Sequence, residues 1–150
     1  MLYVRDLDAS VAFYRGAFGF DEIAREGGMV SLLRIPGSPN QHDLALLQLG
    51  ADAPRPAQGS TGLYHLAWEV PSIEDLADAA GQLSTMRALT GASDHGATKS
   101  LYGRDPDGIE FEVTWMVPRV YWGEWARHGV VRPLDLVAEL ERWGRPVARA

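Results

Sequence analysis

The chain has 150 residues, 46% apolar and 23% charged, which excludes wholesale disorder and fits one ordinary domain or two small modules sharing a core. Twenty acids against fourteen Lys and Arg leave a net charge of -6, and without a basic run this argues against nucleic acid as a partner. With no cysteine, disulfides, thiolate nucleophiles and Cys-ligated zinc are ruled out, so any metal site must use His and carboxylates.

No apolar run reaches the ~18 residues of a membrane span, and Arg5 and Asp6 stand where a signal peptide needs an apolar stretch. The chain therefore reads as soluble and cytoplasmic, with no membrane partner. A short apolar stretch, Met1 to Val4, leads to Asp6, which can cap a helix carrying Val11, Tyr14 and Phe18 on one face. Gly19 ends it. Two strand-like runs follow, Met29 to Ile35 and Asp43 to Leu49, on either side of the turn cluster Pro36-Gly37-Ser38-Pro39-Asn40. Residues 50–61, rich in Ala, Pro, Gly and Gln, read as a linker or long loop.

The order of elements then recurs. Tyr64 to Val70 reads as a strand, and Ser72 caps a helix lined by Leu76, Ala80 and Leu83, with Asp75 placed as in a capping box. Thr98 to Tyr102 and Ile109 to Trp115 read as strands around the turn Asp105-Pro106-Asp107-Gly108. Laid over the second half so that Leu2 falls on Trp68, the first half puts Val4 on Val70, Asp6 on Ser72 and Leu7 on Ile73, which reads as a structural duplication. The expected layout is a first module over 1–50, a linker over 51–61, a second module over 62–116 and an aromatic tail over 117–150. In that tail Pro133 opens a helix of about 133–143 whose Leu136, Leu140 and Trp143 share a face. Such a helix must cover its own core or a second subunit.

Strand alternation sorts the polar candidates. Tyr64, Leu66, Trp68 and Val70 share one face, with His65, Ala67 and Glu69 on the other. Ile109, Phe111 and Val113 form an apolar face, with Glu110, Glu112 and Thr114 opposite. Two strands thus each aim a ligand-capable residue away from the helix side, and a His with a carboxylate on one face suits a divalent metal. Taken alone, His65 reads equally as a hydrogen-bonded sheet histidine, and Glu112 as an exposed strand carboxylate. His95 in the polar loop Ala92 to Ala97 reads equally as a surface histidine, Lys99 as a solvated strand lysine and His128 as exposed.

The stretches YVRDLDASVAFYRGAFGF, GLYHLAWEVPSIEDLADAAGQL and DHGATKSLYGRDPDGIEFEVTW resemble the vicinal oxygen chelate superfamily over roughly residues 2–116. That superfamily includes glyoxalase I, the bleomycin and fosfomycin resistance proteins, and extradiol dioxygenases. The order DHG, SLY, DPDG and a following E-V stretch is nearest in flavour to its catechol-2,3-dioxygenase-like branch. The resemblance implies an α+β fold in which two βαβββ modules form a curled mixed sheet around a metal cavity. It also implies metal ligands at His65 and Glu112, with Glu110 on the same face but nearer the turn. His95 and Tyr102 take the places of the branch's proton-handling histidine and substrate-binding tyrosine.

The function this implies is a metal-dependent enzyme, foremost an extradiol-type ring-cleaving dioxygenase acting on a catechol-like small molecule. The cofactor would be a divalent metal, Fe(II) first, with Mn, Zn or Ni also compatible. The alternatives are a metal-free small-molecule or antibiotic binding protein of the bleomycin-resistance type, or a glyoxalase- or isomerase-type lyase. A vestigial, structural or regulatory dimer is a further rival. The partners implied are a small aromatic or vicinal-oxygen substrate and a second copy in a homodimer. The family's first-strand histidine would fall ahead of Met1. Either the natural start lies upstream or the triad is incomplete, and with His42 a weak substitute the chain as written is expected to fold but bind metal weakly.

Overall fold

The computed structural model describes residues 1–55, 57, 59 and 61–144; parts of the expected linker (56, 58, 60) and tail (145–150) lie outside them. The chain divides into two compact units, one of Met1–Gly62 with Arg104–Ile109, the other of Leu63–Gly103 with the residues from Glu110 onward. The α+β class and the duplication are both as the sequence implies.

In the first unit, β1 (Leu2–Val4) leads to α1 (Leu7–Phe18), then β2 (Asp21–Glu26), β3 (Val30–Arg34) and β4 (Leu44–Gln48), in a mixed sheet ordered β1-β4-β3-β2. The Asp6 carboxylate accepts from the Ala9 N–H at 3.0 Å, and Gly19 closes α1 in the left-handed region at φ 71°. Leu7, Val11 and Tyr14 are buried, and α1 packs on β3 and β4. The strand β2 was not legible in the sequence: DEIARE is an edge strand, mostly exposed, so it carries no apolar alternation.

The turn after the penultimate long strand packs with this unit. Asp105 is buried; its Oδ1 accepts from the N–H groups of Asp107 (2.9 Å) and Ile109 (2.8 Å), and its Oδ2 from the Tyr14 hydroxyl (3.1 Å). Burial pushes the Asp105 carboxyl above its ordinary range, and burial plus the Asp105 charge pushes the Tyr14 phenol up. Asp105→Ala is expected to cost about 2–4 kcal/mol in urea unfolding, from three lost hydrogen bonds at a buried site. Asp105→Asn keeps the Oδ1 acceptor and sheds a buried charge, so it should stay within about 1 kcal/mol. A raised folded value means the wild type loses stability relative to Asn as pH rises from the unfolded carboxylate value near ~4. An Asn variant as unstable as Ala would contradict this account.

The second unit repeats the plan: β5 (Leu66–Glu69), α2 (Ile73–Thr85), β6 (Leu89–Asp94), β7 (Thr98–Arg104) and β8 (Glu110–Met116). Its sheet is ordered β5-β8-β7-β6-β9, where β9 (Arg132–Pro133) is added by the tail. In both units the first strand pairs parallel with the last, Leu2 opposite Leu46 and Leu66 opposite Phe111. Both carry a register shift in the pairing of the two strands after the helix, at Glu22/Ala24 and at Leu89/Gly91. The Ser72 hydroxyl accepts from Asp75 N–H at 3.1 Å and caps α2 as expected. β6, LTGASD, escaped the sequence reading because its residues are small and polar.

Two details depart from the sequence reading. The first is that β5 begins at Leu66, and Tyr64 is 75% exposed rather than part of an apolar face. The second is that the tail helix α3 spans Leu136–Trp143, not from Pro133. Asp135 caps it by accepting from Ala138 N–H at 3.0 Å, while Pro133 lies in β9 opposite Ser93. That is an edge position, where a missing N–H is tolerated.

Candidate functional site

The site grows from β8 and β7, two of the three inner strands of the second sheet. In β8, Phe111, Val113 and Trp115 are buried, and Glu112 and Thr114 between them point to the other face. In β7 the same alternation buries Lys99, Leu101 and Gly103 on one side and gives Ser100 and Tyr102 to the side of Glu112. The Ser100 and Thr114 hydroxyls lie 3.1 Å apart across the two strands, which fixes this face in register. Gly103 is required where it stands: a Cβ there would meet the Phe111 ring at 2.4 Å.

His65 sits one residue ahead of β5, which pairs with β8 so that Ala67 lies opposite Glu112. From there His65 Nε2 reaches to 3.2 Å from Glu112 Oε2. The Tyr102 hydroxyl donates to Glu112 Oε1 at 3.1 Å, and His95 Nε2 lies 2.8 Å from the same hydroxyl. His65, Glu112, Tyr102 and His95 therefore form one continuous set on one sheet face. Glu112, not Glu110, is the carboxylate that His65 and Tyr102 both reach. Burial, then the Glu112 charge and its hydrogen bond, push the Tyr102 phenol up to about 12, so it stays protonated at neutral pH.

His95 is presented by the hairpin between β6 and β7. Asp94 Oδ1 accepts from Gly96 N–H at 2.7 Å and from Lys99 Nζ at 2.5 Å, which ties the turn to the strand behind it. Gly96 takes φ 78°, and a Cβ there would lie 2.6 Å from the Trp125 ring. His95 Nδ1 is 2.8 Å from the backbone carbonyl of Val130. That carbonyl and an ionised Glu112 can only accept, so the three hydrogen bonds from Val130 to Glu112 need three hydrogens. One phenol and one neutral imidazole bring two. All three bonds can therefore form together only when the set carries one further hydrogen.

A divalent cation fits the His65–Glu112 pair in one respect. Two donors each ~2.1 Å from one cation lie roughly 3.0–3.4 Å apart at adjacent positions, and 3.2 Å falls in that range. Among the described residues no group of three His, Cys, Asp or Glu side chains could hold a metal, so the pair offers two positions only. His65 Nδ1 is buried with no hydrogen-bond partner among the described residues.

The other candidates fall elsewhere. His42 is an exposed residue paired with its neighbour Gln41, and His128 is exposed. Lys99 corrects the sequence reading: it is 4% exposed rather than solvated, and lies between Asp94 and, at 3.4 Å, Glu139 of α3. The tail tryptophans are half-buried within their own unit. Trp143 rests on Trp115 and Tyr121 at centroid distances of 5.9 and 4.9 Å, and Trp122 Nε1 donates to the Val117 carbonyl. Sequence reasoning missed Val130, whose part is played by a backbone carbonyl that any residue would supply.

Residues 1–113 match the family model of the Glyoxalase/Bleomycin resistance protein/Dioxygenase superfamily. The chain is 30% identical over 122 residues to a catechol-2,3-dioxygenase of Bacillus subtilis (strain 168), a match covering 81% of this chain and 41% of that protein. It thus spans about two fifths of that relative's length. A glyoxylase/bleomycin resistance protein/dioxygenase domain from Frankia sp. EAN1pec superposes with a TM-score of 0.65 at 26% identity, covering 77% of this chain and 92% of that one. A mutant of the fosfomycin resistance protein FosX from Listeria monocytogenes, complexed with Mn(II) and 1S,2S-dihydroxypropylphosphonic acid, shares the fold with a TM-score of 0.61. Its identity is 18%, and the match covers 85% of this chain and 93% of that one.

Proposed function

Because this chain belongs to the Glyoxalase/Bleomycin resistance protein/Dioxygenase superfamily, we propose that the linked set His65, Glu112, Tyr102 and His95 serves a metal-dependent reaction on a small molecule. The specific reading is extradiol-type ring cleavage of a catechol-like substrate. The observation that carries it is the unbroken path from the His65–Glu112 pair through the Tyr102 phenol to His95 Nε2. The catechol-2,3-dioxygenase relative supports the choice of substrate class.

In this reading His65 Nε2 and Glu112 Oε2 hold the cation, Fe(II) first and Mn, Zn or Ni after it. Bound there, a divalent cation would supply Lewis acidity toward two vicinal substrate oxygens. Tyr102 remains a phenol at neutral pH and can donate to a substrate oxygen that gains negative charge. His95 Nε2 takes or gives a proton next to that phenol.

The test is anaerobic loading with Fe(II), followed by oxygen uptake and ring-opened product with simple catechols; the same preparation is expected to sediment as a homodimer. No uptake with any catechol at full metal occupancy would overturn the dioxygenase reading, and a monomer at micromolar concentration would overturn the dimer. One observation favours a second reading. With no third His, Cys, Asp or Glu among the described residues, a metal-free binding protein would use the same face to hold a flat ligand. Catechol binding that is unchanged by chelators, without turnover, would decide for it.

A further inference from the structure

The tail lies outside the family match, which ends at residue 113, yet its Val130 carbonyl touches the candidate site. From the geometry we infer that the segment 117–144 is a positioning element for His95, with the Val130 carbonyl as the atom that acts. The inference rests on the proposed role of His95, but its first readout does not.

Four contacts hold the segment that carries Val130 against the His95 hairpin. β9 pairs antiparallel with β6, Arg132 opposite Asp94 and Pro133 opposite Ser93, which brings the tail along the sheet edge beside the His95 hairpin. Trp125 seats against Gly96, where any side chain would collide with the ring, and the Arg132 guanidinium lies 4.8 Å from that ring's centroid. The Val117 N–H donates to the Ala97 carbonyl at 3.0 Å, two residues beyond His95. Behind the sheet, Lys99 joins Asp94 of the hairpin to Glu139 of α3. The hairpin is thus held on its edge, on its turn and from behind by one continuous segment.

The consequence is chemical. A carbonyl accepts only, so the 2.8 Å contact keeps a hydrogen on His95 Nδ1 and turns Nε2 toward the Tyr102 hydroxyl. Without Val130, either tautomer and a rotated ring become available. For a metal-ligating imidazole, loss of such an orienting partner is worth roughly 10–100-fold, and the lower end of that scale is the one expected for His95.

The experiment uses the full chain with 15N-labelled histidine. In the wild type, the His95 ring nitrogens should show a protonated, pyrrole-type Nδ1 that is protected from exchange. Trp125→Ala and Arg132→Ala should each erode that signature toward mixed tautomers while leaving the His65 resonances in place. Replacing the Val131 amide by an ester, which weakens the Val130 carbonyl as an acceptor, should do the same without touching a side chain. On catechol, kcat should fall about tenfold with KM within about twofold and bound metal unchanged. A wild-type His95 protonated at Nε2 alone would overturn the inference. So would the ester chain and Arg132→Ala both keeping the wild-type tautomer. If the tautomer shifts as expected but no variant or wild type turns over catechol, the positioning role stands and the dioxygenase reading fails.

Discussion

Replacing Glu112 by alanine is expected to lower divalent-metal affinity at least ~100-fold and to abolish turnover, while the chain stays folded. The carboxylate is reached by both His65 and Tyr102, so its loss removes a proposed metal ligand and breaks the path to His95 at once. Its structural cost is small, because Glu112 lies on the open face and the buried side of β8 is carried by Phe111, Val113 and Trp115. About 1 kcal/mol is lost with the Tyr102 hydrogen bond, a shift of roughly 2–4 °C in Tm for a chain this size. Glu112→Gln separates charge from shape. The negative charge helps hold the Tyr102 phenol near 12, so the amide should let that value fall while burial keeps it above 10. Ultraviolet titration of tyrosinate reads this directly; an unmoved Tyr102 would mean the contact is not made in solution.

Lys99→Met is expected to destabilise the chain by about 2–3 kcal/mol in urea unfolding. Removing one partner of a buried ion pair costs about 3–5 kcal/mol, and the partly solvated Asp94 and Glu139 reduce it here. Burial by itself pushes Asp94 up, and Lys99, the Gly96 N–H and Arg132 outweigh it, so its folded value lies below the ordinary one. The stability this brings is present above the unfolded carboxylate value near ~4 and is lost as pH falls through the folded value. In Lys99→Met the largest lowering contact is gone, so the gap to wild type should be widest near neutral pH and narrow in acid. A gap independent of pH would show that Lys99 contributes packing rather than charge.

What was legible in the sequence was whatever depends on pattern. Helix caps at Asp6 and Ser72 announce themselves because few residues accept from a helix N-terminus. The facing of Glu112 follows from strict alternation along β8. The strands β2 and β6 were missed for the opposite reason: an edge strand of charged residues and an inner strand of small and polar ones have no apolar period to read. Lys99 was misjudged because a lysine in a strand is normally solvated; its burial depends on Glu139 from a helix forty residues away. Pro133 looked like a helix start, but the capping power of Asp135 and the free N–H-side of an edge strand moved it into β9. The His95–Val130 contact could not be read at all, because the acceptor is backbone and its position depends on how the tail crosses the sheet edge.

The most direct measurement is a Mn(II) titration followed by electron paramagnetic resonance, in which free ion gives the signal and bound ion removes it. Wild type, His65→Ala, Glu112→Ala and Glu110→Ala would be compared at one protein concentration. At saturating Mn(II) the wild type and Glu110→Ala should each approach one weakly held ion per chain, and His65→Ala and Glu112→Ala should take up almost none in the same range. Equal uptake by all four would contradict a metal site built on His65 and Glu112.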